Sequence, residues 1–551
     1  MALLAERDEQ SEVSEPISAT AGSRPAAFLL LAGLPMLAAA WALLASGRVL
    51  SSEMTWDFLF NLAGAWHLQN GHVLHVDVHD PVGELNYLLT MLGFRLVGPT
   101  PLAFVAGSLV WASVTFVTAS IAAWRRLPLA PAVIFTVFVC LLVVMPANVG
   151  DPPRDYSFAM SYNRYGWSAL SVLALILFVP PRPPSPAVAP EARGGDTLDM
   201  AVVGLLLAAL FYLKITYFAA GLATLGLALL LFPHVRVRRK GWLAVGGVIV
   251  VNALAPYNHA YLLDIWDAAS AGQVRGGISV HLNTFFTGPE GNAAYAAGLA
   301  VALWLWRYGR APLRLPLATA FLFATGMFLL TQNHQAQGMP LGVMIAFLLY
   351  DQLRQTPARM ALMIFPLALI AAAAFGLLEY APRANSGERF QVVGHTHLKG
   401  LAVPVEPPGL LAAFADGKSE PALFIRARIL RSHHELTPTE YVETLLEAAG
   451  LFEGGVLRPG GIVVLDQVNP LPFMLGVAPP RGGALWSGWG APVRPAETVF
   501  AEADHVLIPK FPTYSPWTEA ATHAYGDYLA AHFPRRTTSG SWIVLSRDGR
   551  G

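Results

Sequence analysis

Between Met200 and Phe232 thirty-three residues carry a single charge, Lys214. As one helix this run would measure about 50 Å, against a hydrocarbon core about 30 Å thick. Arg182 and Arg193 precede it, and Arg236, Arg238, Arg239 and Lys240 follow it. Basic loops stay on the cytoplasmic side, so the chain is expected to cross twice between them. Lys214 then falls at the tip of a helical hairpin on the far side. That placement avoids the roughly 2.5–3.5 kcal/mol cost of a lysine at the bilayer centre.

The same logic orders the rest. Further apolar runs are Ala26–Gly47, Leu102–Trp124, Leu129–Val149, Tyr165–Pro180, Trp242–Ala255, Ala293–Trp306, Leu315–Leu330, Met339–Tyr350 and Ala361–Leu378. Leu85–Val97 is short and carries Asn86, Tyr87 and Arg95, which suits an interfacial or re-entrant helix. If it does not cross, Arg125–Arg126, Arg307/Arg310/Arg314 and Arg354/Arg359 share one side. The expected fold class is a polytopic α-helical membrane protein of about eleven transmembrane helices, with a C-terminal α/β domain outside. Residues 1–25 read as a disordered cytoplasmic tail, 26–380 as the membrane domain with a first outer loop at 48–84, and 381–551 as the soluble extracytoplasmic domain. The localisation that follows is the inner (plasma) membrane, multi-pass, with the N-terminus cytoplasmic.

Composition agrees. Of 551 residues, 54% are hydrophobic and 13% charged, where a soluble protein carries roughly 25% charged. Lys+Arg and Asp+Glu are 36 each, which excludes a basic nucleic-acid binder. The single cysteine, Cys140, lies in an apolar run and excludes a disulfide scaffold.

In the tail, Gly461–Asp466, Asp504–Pro509 and Ser541–Ser546 are strand-like, and Thr439–Ala449 is an amphipathic helix with a Thr-Pro start. Asn469–Trp489 reads as a long structured loop. The tail has no phosphate loop, metal-finger spacing or hydrolase elbow, so a binding or lid module is expected there.

The unusual polar residues of the membrane half gather on the outer face. Asp57 sits a few residues beyond the first span among Trp56, Phe58 and Phe60. A carboxylate in such semi-apolar surroundings has a raised pKa and suits a general base; alternatively Thr55 or Asp57 caps the helix running to Leu68. His67, His72, His75, Asp77, His79 and Asp80 follow, and an extended segment would put His75, Asp77 and His79 on one side as candidate ligands for a divalent cation. Solvated loop histidines are the competing reading.

In the second outer loop, Arg154 or Arg164 could clamp a phosphate, with Tyr162 and Asn163 beside them, unless these residues form an interfacial anchor belt. Lys214 with Tyr217 either snorkels or binds an anion. Asn333 and His334 join two spans as a polar turn, and His259 and Asp264 have no assignable partner.

Taken together the pattern resembles the GT-C superfamily of polyprenyl-phosphate-sugar-dependent glycosyltransferases, in particular the bacterial branch of protein O-mannosyltransferases and lipid A aminoarabinose transferases. The features that carry the resemblance are Asp57 after the first span, Gly71, Asp77 and Asp80-Pro81 beyond it, the re-entrant segment, the Lys214 hairpin and the C-terminal domain. It covers about residues 26–380 in layout. One departure is that Phe58 follows Asp57 where many relatives carry a second acid.

The resemblance implies an inverting transfer from a polyprenyl-phosphate sugar donor, embedded among membrane lipids, to a hydroxyl on a glycan, lipid or protein. It implies Asp57 as base, Lys214 with Arg154 or Arg164 on the donor phosphate, and Asp77, Asp80, Tyr162, Asn163, Tyr217, Asn333 and His334 as substrate contacts. The competing classes are a transporter or flippase of lipid-linked or polar substrates, and a non-catalytic membrane scaffold. A transporter is disfavoured because almost no acids lie inside the spans.

Overall fold

The computed structural model describes residues 23–182, 194–236, 258–270, 289–331, 340–350, 352–353, 358–406, 409–413, 436–488 and 491–548. Helices occupy every expected span except Trp242–Ala255, which lies outside the described residues. Asn333, His334 and most of the N-terminal tail lie outside them too.

The chain opens with α1 (Ser23–Leu44), whose Leu30, Leu37 and Trp41 are exposed. Large apolar side chains facing outward on a helix fit hydrocarbon surroundings, not water. Then come β1 (Val49–Leu50), α2 (Thr55–Gln69), α3 (Leu85–Val97), α4 (Leu102–Trp124), α5 (Leu129–Val144) and α6 (Ser161–Phe178). Among the described residues three helices are long and apolar enough to cross a membrane: Arg24–Leu44, Leu102–Trp124 and Arg359–Ala384. At thirteen residues α3 spans about 20 Å, too short to cross, and it packs on α2 and α4. In α6 every residue but Tyr162 is buried, and its first turn lies in the polar site described below.

The long apolar run divides at Lys214, as its charge predicts. The helices α7 (Gly194–Leu213) and α8 (Ile215–Leu231) pack against each other, and Lys214 between them is extended. At the opposite end of α7, Asp199 is buried and paired with Arg125 at 2.7 Å and Arg126 at 2.6 Å. These arginines therefore also hold α4 to α7. The membrane half continues through α9 (Asn258–Ser270), α10 (Pro289–Arg307), α11 (Arg314–Thr331), α12 (Val343–Tyr350) and α13 (Ile364–Ala384).

Among the described residues two small sheets follow. In the first, β3 (Leu401–Pro404) lies between β2 (Phe390–Val392), antiparallel, and β1, parallel, with Val49 opposite Leu401. The first loop and the tail thus share one sheet and stand on the same side of the helices. The second sheet has the order β4-β5-β7-β6, from β4 (Ile462–Val464), β5 (His505–Pro509), β6 (Arg535–Thr538) and β7 (Trp542–Ser546). The β4–β5 pair is parallel and the others antiparallel.

Three of the four strands match the expected apolar runs. β6, reading Arg-Arg-Thr-Thr, is an exposed edge with no apolar signal. The expected tail helix is α14 (Pro438–Glu453), started by a capping box between Thr437 and Glu440. Asn469–Trp489 contains a short helix, α15 (Leu471–Leu475), and α16 (Ser515–His532) packs on the second sheet.

The tail is pinned along α2. Trp56 meets Tyr441 edge-on with ring centroids 6.1 Å apart, and the Trp66 indole N–H donates to the Val477 carbonyl at 2.8 Å. Farther along, Gly482 N–H donates to Asp77 O, and His79 exchanges backbone bonds with Gly483 and Leu485.

Candidate active site

Asp57 lies in the first turn of α2 but caps nothing; that helix starts after Met54 with no side-chain cap. Its Oδ2 instead accepts the Met160 N–H at 2.7 Å, across to the start of α6. The carboxyl is half-buried. Desolvation raises its pKa to about 6, against the pull of the Met160 bond and the nearby Lys214 charge.

Met54 and Met160, the residues preceding α2 and α6, have φ of 49°, and His75 has φ of 68°. Among the described residues these are the only non-glycine residues with positive φ, and all three flank this group. Such conformations cost about 1–3 kcal/mol each and persist where surrounding structure holds them.

Lys214 is buried, with its Nζ 5.1 Å from the centre of the Tyr162 ring. Tyr217, one turn on, is fully buried, and its hydroxyl has no hydrogen-bond partner among the described residues. It lies against Gly166, where a Cβ would approach its ring to 2.4 Å. Tyr87 lies in the same way on Gly64, at 2.3 Å. Two glycines therefore let two site tyrosines sit flush on helix backbones.

Asp80 is buried and takes the Tyr87 hydroxyl in a short hydrogen bond to Oδ2, while Val82 N–H reaches Oδ1 at 3.2 Å. Burial raises its pKa to about 8, helped by the charges of Asp264 and Asp57. Burial thus raises both carboxyls, Asp80 further than Asp57.

Asp264 finds the partners the sequence withheld. The His75 and His79 imidazoles donate to it from Nδ1 at 3.1 and 2.8 Å, Arg494 reaches Oδ1 at 3.0 Å, and Asp80 N–H reaches Oδ2 at 3.1 Å. Burial pushes this carboxyl up, but the histidine hydrogen bonds, the His79 charge and the Asp80 N–H outweigh it and hold it at about 2.

The structure thus groups Asp57, Asp80, Tyr162, Lys214 and Tyr217, with buried Asn163 in the first turn of α6. It commits other expected residues elsewhere. Arg154 forms a two-pronged pair with Glu379 at 2.8 and 2.9 Å, so its fork is engaged on α13 rather than offered to a phosphate. Arg164 is buried and holds the second loop through bonds from Nη1 to Ala147 O and Ser157 O, while its Nε and Nη2 have no hydrogen-bond partner among the described residues.

Asp77 does not join His75 and His79, because the left-handed turn at His75 breaks the expected alternation. Asp77 accepts the Val73 N–H at 2.8 Å and faces Arg481 at 3.6 Å. Among the described residues no three His, Cys, Asp or Glu side chains form a metal-ligating group. The two histidines converge on Asp264 with the Arg494 guanidinium, whose positive charge does not fit a cation there.

Tyr87, Met160 and Arg494 were not identifiable from the sequence. Tyr87 stood out only as a polar residue in a short helix, and the other two act through contacts more than a hundred residues distant in the chain.

Fold and site define a mostly helical chain with apolar helices, whose first loop and sheet-bearing tail surround a carboxylate–lysine–tyrosine centre. No protein-family model matches the chain, and no curated protein matches it. Among solved structures it is similar to ArnT from Cupriavidus metallidurans bound to undecaprenyl phosphate, at 14% identity and a TM-score of 0.45, over 95% of this chain and 98% of that one. Against the apo state of the same protein the values are 13% and 0.46, with the same coverage.

Proposed function

We propose that the chain is an inverting GT-C-type glycosyltransferase of the cell envelope, moving a sugar from a polyprenyl-phosphate donor to an acceptor hydroxyl on the extracytoplasmic face. The observation that carries this reading is the half-buried Asp57, with a pKa raised to about 6, beside the buried Lys214. A carboxyl tuned close to neutral accepts a proton well, and a neighbouring ammonium stabilises an anionic leaving group.

In this reading Asp57 takes the proton of the acceptor hydroxyl as its oxygen forms a bond to the anomeric carbon. The bond from that carbon to the phosphate oxygen breaks on the opposite face, so configuration inverts. Polyprenyl phosphate leaves with the electron pair, its charge met by Lys214 and by a hydrogen bond from the Tyr217 hydroxyl. Asp80, held neutral, adds no second negative charge near the phosphate and fixes the first loop through Tyr87 and Val82. The reading uses no metal.

The test is transfer in membranes supplied with radiolabelled polyprenyl-phosphate sugars, comparing wild type with Asp57→Asn and Lys214→Ala. Both variants are expected to lose transfer while retaining the wild-type unfolding midpoint. Undiminished transfer by both would remove these residues from the reaction.

A further inference from the structure

The chain entering α2 runs beside the stretch that leads into α6. Ser52 N–H donates to the Tyr156 carbonyl at 2.8 Å, Ser157 Oγ to the Glu53 carbonyl at 3.3 Å, and Met160 N–H to Asp57 Oδ2 at 2.7 Å. The last of these fixes where the Asp57 carboxyl points, yet it joins residues 103 apart in the chain. Neither helix start carries a side-chain cap that would hold it locally.

Beside that bond lies a triangle of rings. Phe58 meets Phe104 of α4 edge-on with centroids 5.4 Å apart, Phe104 meets Phe158 at 5.4 Å, and Phe158 closes onto Phe58 at 6.1 Å. All three side chains are buried. Phe58 follows Asp57, and Phe158 precedes Met160 by two residues, so the rings grip both ends of the bond. Ring contacts of this kind fix orientation as well as distance, and a short hydrogen bond tolerates little displacement.

One turn farther along α2, Thr90 Oγ1 donates to Asn61 Oδ1 at 2.9 Å and ties α2 to α3. The second turn of α2 is thus fixed by a polar bond, and the first is braced by the rings. Removing one ring leaves space into which the first turn can swing about Asn61, because cores close only partly over a void.

We propose that Phe58, Phe104 and Phe158 are positioning residues that hold the Asp57 carboxyl on the Met160 N–H. The clasp stands on its own geometry, and its consequence for catalysis rests on the transferase reading. Leucine in place of a ring keeps the surroundings apolar but gives up the ring contacts. The Met160 bond is one of the influences that lower the Asp57 pKa, so loosening it moves the titration of Asp57 upward. Lys214, Asp80 and Tyr87, the other titratable groups that act with Asp57, are left in place.

The test labels full-length protein in lipid nanodiscs with a carbodiimide, which reacts with protonated carboxyls, and reads Asp57 by peptide mass spectrometry as pH is varied. Wild type is compared with Phe58→Leu and Phe158→Leu. Phe135→Leu serves as control, since it opens the unrelated ring pair with Phe347 between α5 and α12. The labelling midpoint, near 6 in the wild type, is expected to rise by about half a pH unit or more in both variants and to stay in the control. In transfer assays kcat should fall about tenfold in both variants, with the donor KM within about twofold. Phe104→Met, which keeps most of the volume without the ring, decides the matter if the leucine variants do not fold. A midpoint unmoved or lowered in the ring variants, or raised equally by Phe135→Leu, overturns the proposal. If transfer survives Asp57→Asn while the ring variants still raise the midpoint, the transferase reading fails and the clasp on Asp57 stands.

Discussion

Lys214→Met tests the electrostatics of the centre more sharply than loss of activity does. With Asp57 near 6, about 90% of its carboxyl is ionised at pH 7 and about 10% at pH 5, so in the proposed transfer kcat/KM should fall about tenfold between them. Asp80, near 8, supplies the opposite limb, because its ionisation places a second charge beside the donor phosphate. A bell with apparent values near 6 and 8 is expected, and both limbs belong to the coupled pair rather than to either residue alone.

The Lys214 charge is one of the influences that lower the Asp57 pKa. Its removal should therefore move the acid limb to higher pH, while loss of leaving-group stabilisation lowers the rate by about 100- to 1,000-fold. Lys214→Arg should keep the limb in place. The assay is initial-rate transfer from radiolabelled donor at saturating acceptor in nanodiscs, with pH varied in constant-ionic-strength buffers. An acid limb near 4 in the wild type, or one unmoved in Lys214→Met, would refute the argument.

The other expectations concern stability and packing. Asp80 titrates near 8 when folded against 3.8 ordinarily, so its neutral form favours folding. That contribution is complete below about pH 4 and is lost as pH rises through 8. Asp80→Asn should keep a flatter unfolding midpoint from about pH 6 to 8 where the wild type declines; parallel curves would count against it. Asp264→Ala removes the shared acceptor of His75, His79 and Arg494 and should cost about 3–5 kcal/mol, read as a lowered midpoint and faster hydrogen exchange in residues 480–485. An unchanged midpoint contradicts this. Gly166→Ala drives a methyl into the Tyr217 ring and should cost about 1–3 kcal/mol together with transfer; Tyr217→Leu in the same chain should restore the midpoint but not the activity.

Features with a strong local signature were legible in the sequence. The break at Lys214 followed from one charge in a run too long for a single crossing, and the tail strands at 462, 505 and 542 from short aliphatic runs. Asp57 and Lys214 were nameable because polar residues at the ends of apolar spans are few. Pairings across long stretches of chain were not legible. β1 is two residues long and gains strand character only beside β3.

Asp264 looked solitary because its histidines lie 185 and 189 residues away. Arg154 offered the same guanidinium for a phosphate or a carboxylate, and only the position of Glu379 decides between them. The His75–Asp77–His79 alternation assumed an extended backbone, which the positive φ at His75 breaks.

The pairing of β1 with β3 has a consequence for biogenesis. Val49 and Leu50 precede the helix that bears Asp57, and their strand partners are made some 350 residues later. Helices of the membrane half can insert as they emerge, because their contacts are largely local. The strand before α2 has no such neighbour and waits for the tail to arrive, although α2 itself already packs on α3 and reaches Met160 through Asp57. A ribosome stalled before Leu401 would leave the helices assembled with Val49 and Leu50 unpaired at the head of the first loop. The first loop would then be completed late in synthesis, as one event with the docking of the tail.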